Sequence, residues 1–462
     1  MNERIKHFFS SMERQSIAYV FSGNAIIKTA DQHYPFQVNK NFFYLTGLDL
    51  YQNVLVLIKH KKEELILFAP TRSKEKEKWE GILPTFDAIK KITGITDVRD
   101  RAIFDDFHAS IFTTLRTSIY GEIKQVYLDI SQTDRHCQDV VNFSNQLKSN
   151  YPEITIQSSS HVLKQMRTIK SDKEIQQIKE AIQITQKGLQ SLVETLKTSK
   201  KEHILHAAFL YELNKNQSKE AFDTIIASGN HATILHYIDN NDDISNDALV
   251  LCDLGAQYQQ YNADITRTYP ASGKFTDRQK AIYQLVLDVN QEMIAWIKPG
   301  KSFAEFKALG KEKLAEKALK IGLISQKDDI SKYYYHGLGH HLGLDVHDPC
   351  DYDMPLEEGM VLTVEPGIYI EEEGIGIRIE DDFLVNTDGH EFMTADLPRD
   401  LDWFMIKKND YDIANAWTNQ DKESDKDDKA LPMPVGLFEI IALVSVAVWQ
   451  RREEDMDIIG TS

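Results

Sequence analysis

Residues 249–270, LVLCDLGAQYQQYNADITRTYP, predict a β-hairpin with one aspartate in each arm. Two apolar, β-rich runs flank a reversal that contains Gly255, as expected for paired strands joined by a short turn. Asp253 lies in the first run and Asp264 at the start of the second. If the hairpin is centred midway between them, the two aspartates face one another with Cβ atoms about 4.5–5.5 Å apart. Because close carboxylates drive one another to protonate, the pair indicates a site for a counter-charge.

A second pair of acids has the same arrangement. Glu365 in VLTVEPG and Glu380 in IRIEDD are centred on the acidic turn just before Gly374, so they are also predicted to face one another. Pro366 weakens this second pairing because proline cannot donate to a ladder. Four converging carboxylates are natural ligands for two divalent cations about 3.5–4 Å apart. Each acid taken alone is more often a turn cap or a solvated strand residue, so spacing alone leaves that alternative open.

Histidines that could complete a metal site lie in the segment YYYHGLGHHLGLDVHDP, residues 333–349. They are His336, His340, His341 and His347. The first two share the spacing of a zinc-protease helix, but Gly337 stands where that motif requires glutamate, and the glycines disfavour a helix. A lone histidine is more often structural, whereas four histidines in a carboxylate-rich chain indicate a site.

The composition is that of an ordinary soluble globular protein. The chain has 462 residues, of which 42% are hydrophobic and 27% charged. A formal net charge of −18 argues against a nucleic-acid-binding surface. The cysteines, Cys137, Cys252 and Cys350, are too few and too scattered for a disulfide framework, which favours a reducing compartment. The N-terminus has no apolar run that would indicate an export signal, so the protein is predicted to be cytoplasmic.

The chain is predicted to be an α+β protein with two folded domains and a tail. Short β-rich runs separated by polar stretches indicate an N-terminal α/β domain over residues 1–159. A capping box at Ser171 and Glu174 begins a long helix of a second domain, residues 160–406, and a second cap at Thr276 begins another helix. This second domain has hairpins instead of alternating β-α-β units. The runs predicted as strands are 17–21, 54–58, 65–68, 126–130, 248–254, 262–269, 360–370 and 375–385.

Five segments occur in an order that is typical of one peptidase family. They are LHYIDNND (235–242), LCDLGAQYQQYNADITRTYP (251–270), HGLGHHLGLDVHD (336–348), GMVLTVEPGIYI (359–370) and GIGIRIEDD (374–382). Over residues 160–400 the chain resembles the metallopeptidases with the pita-bread fold, and most closely their aminopeptidase P branch. Two N-terminal segments are similar to the N-terminal domain of that branch: DQHYPFQVNKNFFYLTGLD (31–49) and EKEKWEG (75–81). The resemblance implies an N-terminal α/β domain followed by a C-terminal pita-bread catalytic domain.

The same resemblance implies ligands for two divalent metal ions per chain. Matched by motif, these ligands are Asp253, Asp264, His340, Glu365 and Glu380. In the family pattern Asp264 and Glu380 bridge the ions, Asp253 belongs to one ion, and His340 and Glu365 belong to the other. Because oxygen dominates the set, manganese is the expected ion, with cobalt, iron or zinc as substitutes.

The implied reaction is hydrolysis of the bond between an N-terminal residue and a proline in second position, by a hydroxide that bridges the two ions. Glu365 would move the proton. His347, with His236 as a second candidate, would bind the carbonyl oxygen as it gains charge. The remaining substrate-side positions implied by the motifs are His336, Tyr369 and Arg378.

Two other functions remain open on the sequence. A prolidase of the same family would cleave only Xaa-Pro dipeptides. A catalytically inactive pita-bread module would bind peptides without cleaving them, but such modules typically lose metal ligands, and this chain keeps all five. The family also implies a homodimer or homotetramer, with peptides whose second residue is proline as partners and with no nucleic acid.

Residues 407–462 are predicted to be a tail outside the catalytic fold. An acidic, polar linker, NQDKESDKDDKA (419–430), has the composition of a flexible spacer. The apolar stretch that follows is interrupted by Glu439, and the remaining uninterrupted run, 440–449, is well short of the roughly 20 residues that a membrane span needs. A short helix that docks on the protein or on a partner is therefore favoured over a membrane anchor.

Overall fold

The structure, a computed structural model, describes residues 2–112, 120–130 and 138–401. Cys137 and the predicted tail, residues 407–462, lie outside the described residues. The described residues belong to one compact unit, residues 1–406. Among them, no helix is both long and apolar enough to cross a membrane.

The first part of the described chain forms a mixed six-stranded sheet, called here the N-terminal sheet. The strands of this part are β1 (Ser16–Phe21), β2 (Ile27–Thr29), β3 (Gln32–His33), β4 (Val54–Lys59), β5 (Glu63–Ala69), β6 (Asp97–Asp100), β7 (Gln125–Leu128) and β8 (Thr155–Ser158). Strands β2 and β3 form a separate small hairpin, and the other six form the N-terminal sheet. The order in the sheet is β6-β5-β4-β1-β7-β8, and β4 is antiparallel to both of its neighbours. The runs predicted as strands in this part all fall on strands of this sheet.

Helices occur in the same part of the described chain as the N-terminal sheet. They are α1 (Glu3–Ser11), α2 (Lys40–Thr46), α3 (Lys74–Glu80), α4 (Phe86–Thr93), α5 (Phe104–Ile111) and α6 (Gln138–Asn150). Phe104 and Phe107 of α5 and Phe143 of α6 pack with alternate residues of β1, β4 and β5 in one buried cluster. This alternation, apolar toward the helices, makes the sheet and its helices one α/β core, as predicted.

The second part of the described chain contains three helices at its start and two more after its first strands. They are α7 (Ser160–Thr168), α8 (Asp172–Thr198), α9 (Glu202–Lys215), α10 (Asp277–Trp296) and α11 (Phe303–Lys320). Capping boxes start α8 at Ser171 and α10 at Thr276, which confirms both predicted helix starts. Residues of α10 and α11 form a large apolar core together with the strands that follow them.

Short antiparallel strands complete this part. They are β9 (Lys219–Glu220), β10 (Ile225–Ser228), β11 (Leu249–Leu254), β12 (Ala256–Tyr258), β13 (Tyr261–Asn262), β14 (Ile265–Pro270), β15 (Val361–Val364), β16 (Gly367–Ile370), β17 (Ile375–Arg378), β18 (Asp381–Asn386) and β19 (Gly389–Phe392). Among the described residues these strands pair only in antiparallel ladders, so the prediction of hairpins instead of β-α-β units is confirmed.

The register of the first hairpin differs from the prediction. Asp253 on β11 lies opposite Thr266 on β14, two residues beyond Asp264. The turn consists of Gln259 and Gln260, with φ of 50° and 72°, and not of the residues around Gly255. Because side chains alternate with a period of two, a shift of two residues leaves both aspartates on one face of the hairpin.

The register of the second hairpin agrees with the prediction. The β15–β18 and β16–β17 ladders share one register, which places Glu365 opposite Glu380 in the gap between them. Pro366 lies in the same gap, where its missing N–H removes no ladder hydrogen bond.

Candidate metal centre

Three of the predicted ligands, Asp264, His340 and Glu380, converge at one point. One ligand atom of each lies within 4.8 Å of the others, and all three residues are buried. Nε2 of His340 is 3.3 Å from Oδ2 of Asp264 and 3.9 Å from Oε1 of Glu380. Glu365, which is half-buried, approaches the same point, with its Oε1 also 3.9 Å from Nε2 of His340.

The strands are interrupted at each of these carboxylates. Asp264 lies between β13 and β14, Glu365 between β15 and β16, and Glu380 between β17 and β18. Outside the ladders, their backbone groups bond to other segments. The N–H of Glu365 donates to the carbonyl oxygen of Leu338 at 2.8 Å, and that of Glu380 donates to the carbonyl oxygen of Thr266 at 3.0 Å. These hydrogen bonds join the two hairpins and the histidine segment at the point where the side chains meet.

Hydrogen bonding determines which nitrogen of His340 faces the carboxylates. Its Nδ1 is 3.1 Å from the carbonyl oxygen of His341, which can only accept, so Nδ1 carries the proton. In neutral His340, Nε2 then presents its lone pair to the carboxylates of Asp264, Glu365 and Glu380. A lone pair among anionic oxygens is repelled unless a cation lies between them, which is the arrangement of a metal-binding histidine.

Asp253 joins this group beside Asp264 and is paired with an arginine. Nη2 of Arg378 is 2.5 Å from Oδ2 of Asp253. The other carboxylate oxygen of Asp253, Oδ1, is buried and has no hydrogen-bond partner. An orphaned buried acceptor costs free energy, so this oxygen is a natural place for a cation to bind.

The carboxyl groups of the centre raise one another's pKa. Burial, followed by the charge of Glu380, raises the pKa of Asp264 and of Glu365 well above the usual range. For Glu380 itself, burial and then the charge of Asp253 raise the pKa to about 7. Divalent cations would reverse these shifts, because they stabilise the ionised form of every acid in the group.

Arg378 links the acids to the cleft. It is buried and donates from Nε to Oγ1 of Thr266 at 3.1 Å and from Nη1 to Oη of Tyr369 at 2.8 Å. Oγ1 of Thr266 donates in turn to Oε2 of Glu380 at 2.7 Å. Oη of Tyr369 is also 2.8 Å from Nε2 of His336, and burial with the charge of Arg378 lowers the pKa of that histidine to about 3. His336 is therefore neutral, and its Nε2 accepts a hydrogen bond from the Tyr369 hydroxyl.

His347 and His236 lie on the open side of the centre. The ring of His347 is 4.0 Å from that of His340, and both His347 and His236 are exposed. Partial desolvation, followed by the charges of His340 and His236, lowers the pKa of His347 to about 4, so it is neutral at pH 7. His341 points away from the centre, is buried and packs its ring 5.7 Å from that of Phe303. It is a core residue.

The donor set fits hard divalent cations. Four carboxylates and one imidazole nitrogen provide mainly oxygen, which suits manganese or magnesium better than metals that prefer thiolates. Cys252 neighbours Asp253, but burial raises the pKa of its thiol far above the usual range, so it supplies no thiolate.

Three further residues of the centre were not predicted from the sequence. Thr266 orients Glu380, and Oδ2 of Asp382 accepts the backbone N–H of Asp264 at 3.3 Å. Asn262 donates from Nδ2 to two carbonyl oxygens of residues 340–348, called here the histidine loop, at 3.0 and 2.9 Å. Alternation with a period of two from Asp264 and Glu380 marks all three as residues on the face of the ligands, and this signal could have found them.

Comparison with known sequences agrees with this geometry. Residues 176–387 match the model of metallopeptidase family M24, and residues 1–120 match that of the aminopeptidase P N-terminal domain. The Xaa-Pro aminopeptidase of Haemophilus influenzae is 31% identical, over 86% of this chain and 94% of its own length. Xaa-Pro aminopeptidase 3 of Homo sapiens is 30% identical, over 83% of this chain and 78% of its own length.

Solved structures show the same fold. A proposed aminopeptidase P from Bacillus anthracis superposes with a TM-score of 0.82 at 41% identity, covering 87% of this chain and 96% of that chain. Aminopeptidase P from Escherichia coli, solved with the inhibitor Pro-Leu, superposes with a TM-score of 0.78 at 29% identity, covering 87% of this chain and 95% of that chain. These likenesses confirm the predicted fold class, an N-terminal α/β domain followed by a C-terminal pita-bread domain.

Proposed function

The chain belongs to metallopeptidase family M24, and from this membership we propose that it is an Xaa-Pro aminopeptidase, which releases the N-terminal residue of peptides whose second residue is proline. The observation that carries the proposal is the convergence of Asp264, His340 and Glu380 where the strands are interrupted. The relatives named Xaa-Pro aminopeptidase support the substrate class.

We assign two divalent cations, with manganese first, to the five ligands of the centre. Asp264 and Glu380, whose carboxylate oxygens lie 3.3 and 3.9 Å from His340 Nε2, would be shared by both ions. Asp253 would complete the first ion's ligands, and His340 with Glu365 would complete those of the second. When bound, the cations would lower the pKa of a water molecule and so supply a hydroxide nucleophile near neutral pH.

The protein's own groups would move the protons and bind the substrate. Glu365 is half-buried with its Oε1 3.9 Å from Nε2 of His340, so its carboxylate is placed at the centre to accept a proton and pass it to the leaving proline nitrogen. Neutral His347, with His236 beside it, can donate an N–H to the carbonyl oxygen as that oxygen gains charge. Since a prolyl bond has no N–H, recognition must come from such side chains and from the cleft around Tyr369 and Arg378.

The shared-ligand assignment is tested by Glu380→Ala. A carboxylate that serves both ions cannot be removed without loss of both, so bound metal and turnover should fall together. The protein is purified without added ions. The number of metal ions per chain is then measured by elemental mass spectrometry, and turnover is assayed on the same preparation. A variant that keeps two ions and near-normal turnover would show that Glu380 is not shared.

The activity is tested with matched peptides. The chain should cleave Xaa-Pro-Yaa tripeptides and leave Xaa-Ala-Yaa tripeptides intact, with release of the N-terminal residue measured by chromatography. Cleavage of Xaa-Pro dipeptides alone would instead identify a prolidase. Metal-loaded protein that binds these peptides and cleaves none would identify an inactive binding module.

We also propose that the chain assembles into a homodimer or homotetramer in the cytoplasm. Large apolar residues of the N-terminal part stand open to solvent: Trp79 is 85% exposed, Ile82 79% and Ile27 66%. Exposed apolar residues mark protein interfaces where they are contiguous, and Trp79 and Ile82 lie three residues apart in the chain. Light scattering after size-exclusion chromatography measures the mass, and a monomer at micromolar concentration would overturn the proposal.

A further inference from the structure

The histidine loop is closed by one aspartate, Asp348. Its backbone N–H donates to the carbonyl oxygen of His341 at 2.8 Å, and its Oδ1 accepts the backbone N–H of Asp345 at 3.0 Å. The same carbonyl oxygen of His341 also accepts from Nδ1 of His340. Closure of the loop and the orientation of the His340 ring therefore depend on one carbonyl group. His347, next to Asp348, is exposed, so the loop and not burial must hold its ring in place.

Two buried cations hold Asp348. Nη2 of Arg167 is 2.6 Å from its Oδ1, and Nζ of Lys170 is 3.1 Å from its Oδ2. Burial alone would raise the pKa of Asp348, but these two charges outweigh it and lower the pKa to about 2. Arg167 also pairs with Asp345, with Nη2 2.5 Å from Oδ2. One guanidinium group thus holds both acids of the histidine loop.

Arg167 connects the loop to the N-terminal sheet. Its Nη1 donates to Oδ1 of Asn41 on α2 at 2.9 Å. Nδ2 of Asn41 donates in turn to both oxygens of Asp129, at 3.1 and 3.0 Å, and Asp129 directly follows β7. An unbroken chain of hydrogen bonds therefore runs from the N-terminal sheet to the loop that carries His340 and His347.

Buried ion pairs are not in general a source of stability. Replacing buried ion pairs with well-packed apolar residues is often neutral or stabilising, because removing two charges from water is costly. What the charges provide is a fixed geometry: the planar guanidinium of Arg167 has donors in set directions and binds Asn41, Asp345 and Asp348 at once.

We propose that Arg167 is a positioning residue for catalysis, which holds the histidine loop so that His347 stands beside His340, and that Asn41 and Asp129 fix Arg167 from the N-terminal sheet. This role rests on the proposed function of His347 as donor to the substrate carbonyl. The N-terminal domain is thereby part of the catalytic apparatus through a chain of hydrogen bonds, without touching the substrate.

The test uses Arg167→Lys, which keeps a positive charge beside Asp348 but loses the planar guanidinium group that binds Asn41, Asp345 and Asp348 at once. With an Xaa-Pro-Yaa tripeptide, kcat should fall about 10- to 100-fold while KM changes less than about threefold, because the loss falls on the transition state. Bound metal should stay unchanged, since the backbone of His340 is held separately by Thr363. Arg4→Lys is the matched control: Arg4 pairs with Glu174 at 2.9 Å and joins the same two parts of the chain away from the histidine loop, so its kcat should be unchanged.

A double-mutant cycle separates positioning from general damage. In the His347→Ala background, Arg167→Lys should cost less than about twofold in kcat, because the group it positions is gone. The same 10- to 100-fold loss in both backgrounds would overturn the proposal. A fall in metal content in step with kcat would also overturn it.

Hydrogen exchange gives a measurement that does not depend on the substrate. The backbone N–H groups of Asp345 and Asp348 should exchange faster in Arg167→Lys than in wild type, and at the wild-type rate in Arg4→Lys. If wild-type protein cleaves no Xaa-Pro peptide, the proposed function fails, and faster exchange still supports the hold of Arg167 on the loop. Unchanged exchange in Arg167→Lys would overturn the hold itself.

Discussion

At the scale of single residues, a change at His347 tests whether cation binding and transition-state stabilisation belong to different groups. It lies against His340, its ring is exposed and its lowered pKa keeps it neutral at pH 7, so we propose it as a donor to the substrate and not as a ligand. We expect His347→Ala to keep both metal ions and to lose about 10²–10³ in kcat, the usual loss for one donor to a developing oxyanion. Metal analysis and tripeptide turnover on one preparation measure both quantities. Loss of metal in proportion to activity would make His347 a ligand.

Residue types were easier to predict than residue pairing. The motifs predicted five ligands, and the structure brings their side chains toward one centre. The predicted pairing is wrong, because Asp253 lies opposite Thr266 and not Asp264. The cause is the turn: two-residue turns with positive φ favour asparagine and glycine, and here Gln259 and Gln260 occupy them. No local signal marked that turn. The counter-charge that Arg378 provides to Asp253 could likewise not be seen before the fold was known.

At the scale of elements, the sequence predicted the presence of the strands but not their interruptions. The runs 360–370 and 375–385 each consist of two strands, separated at Glu365 and Glu380. Apolar alternation continues across the first break, from Leu362 and Val364 to Ile368 and Ile370, and after the second it resumes at Phe383, so periodicity gives one strand where there are two. Only Pro366 indicated a break. The interruptions matter because they turn carboxylates out of the ladders and toward His340.

The start of helix α9 supports a prediction at this scale. Glu202, fully buried, accepts hydrogen bonds from the N–H and hydroxyl of Ser228, from the hydroxyl of Tyr237 and from the N–H of Asp242, at 2.7–3.0 Å. These donors bracket the segment that carries His236. In Glu202→Gln one carboxylate oxygen becomes an NH₂ group, which cannot accept hydrogen bonds from these donors. The free energy of unfolding should therefore fall by about 1–3 kcal/mol for each donor left without an acceptor.

Chemical denaturation measures that loss, with Glu194→Gln, a change of an exposed glutamate on α8, as the control. The segment that holds His236 should also loosen, so kcat should fall in the Glu202 variant and stay constant in the control. A Glu202→Gln variant with wild-type stability would show that the four hydrogen bonds do not organise this segment.

At the scale of the whole molecule, the acids of the centre couple the stability of the metal-free protein to pH. The pKa of Glu380 is raised from its ordinary value of 4.5 to about 7, so between these values the folded state binds more protons than the unfolded chain. The free energy of unfolding should therefore fall as pH rises from about 5 to 7, with a slope that approaches about 1.4 kcal/mol per pH unit for this one group. Asp348, with its pKa lowered to about 2, acts only below this window.

Denaturation in a chelator across pH 5–7.5 measures this slope, and saturating Mn²⁺ should abolish it because cations replace the protons. Glu380→Gln, which cannot ionise, should reduce the slope in the chelator by up to about 1.4 kcal/mol per pH unit, the share of one group, while Asp264 and Glu365 keep theirs. A metal-free protein that grew more stable with rising pH in this window would contradict the coupling of these acids.

The boundary between catalytic fold and tail supports the last prediction. The described chain still makes buried contacts near its end. The carbonyl oxygen of Arg399 accepts a hydrogen bond from the Tyr283 hydroxyl at 2.9 Å, and Nη1 of Arg399 is 3.3 Å from Oδ2 of the buried Asp381. The compact unit ends at residue 406. A chain ending at Lys407 should therefore fold, bind two metal ions and cleave Xaa-Pro-Yaa within about twofold of the full-length rate. A chain ending at Asp396 is the matched control, because it lacks Arg399 and should lose stability. If the chain ending at Lys407 stays folded but loses metal or turnover, part of the tail belongs to the active fold.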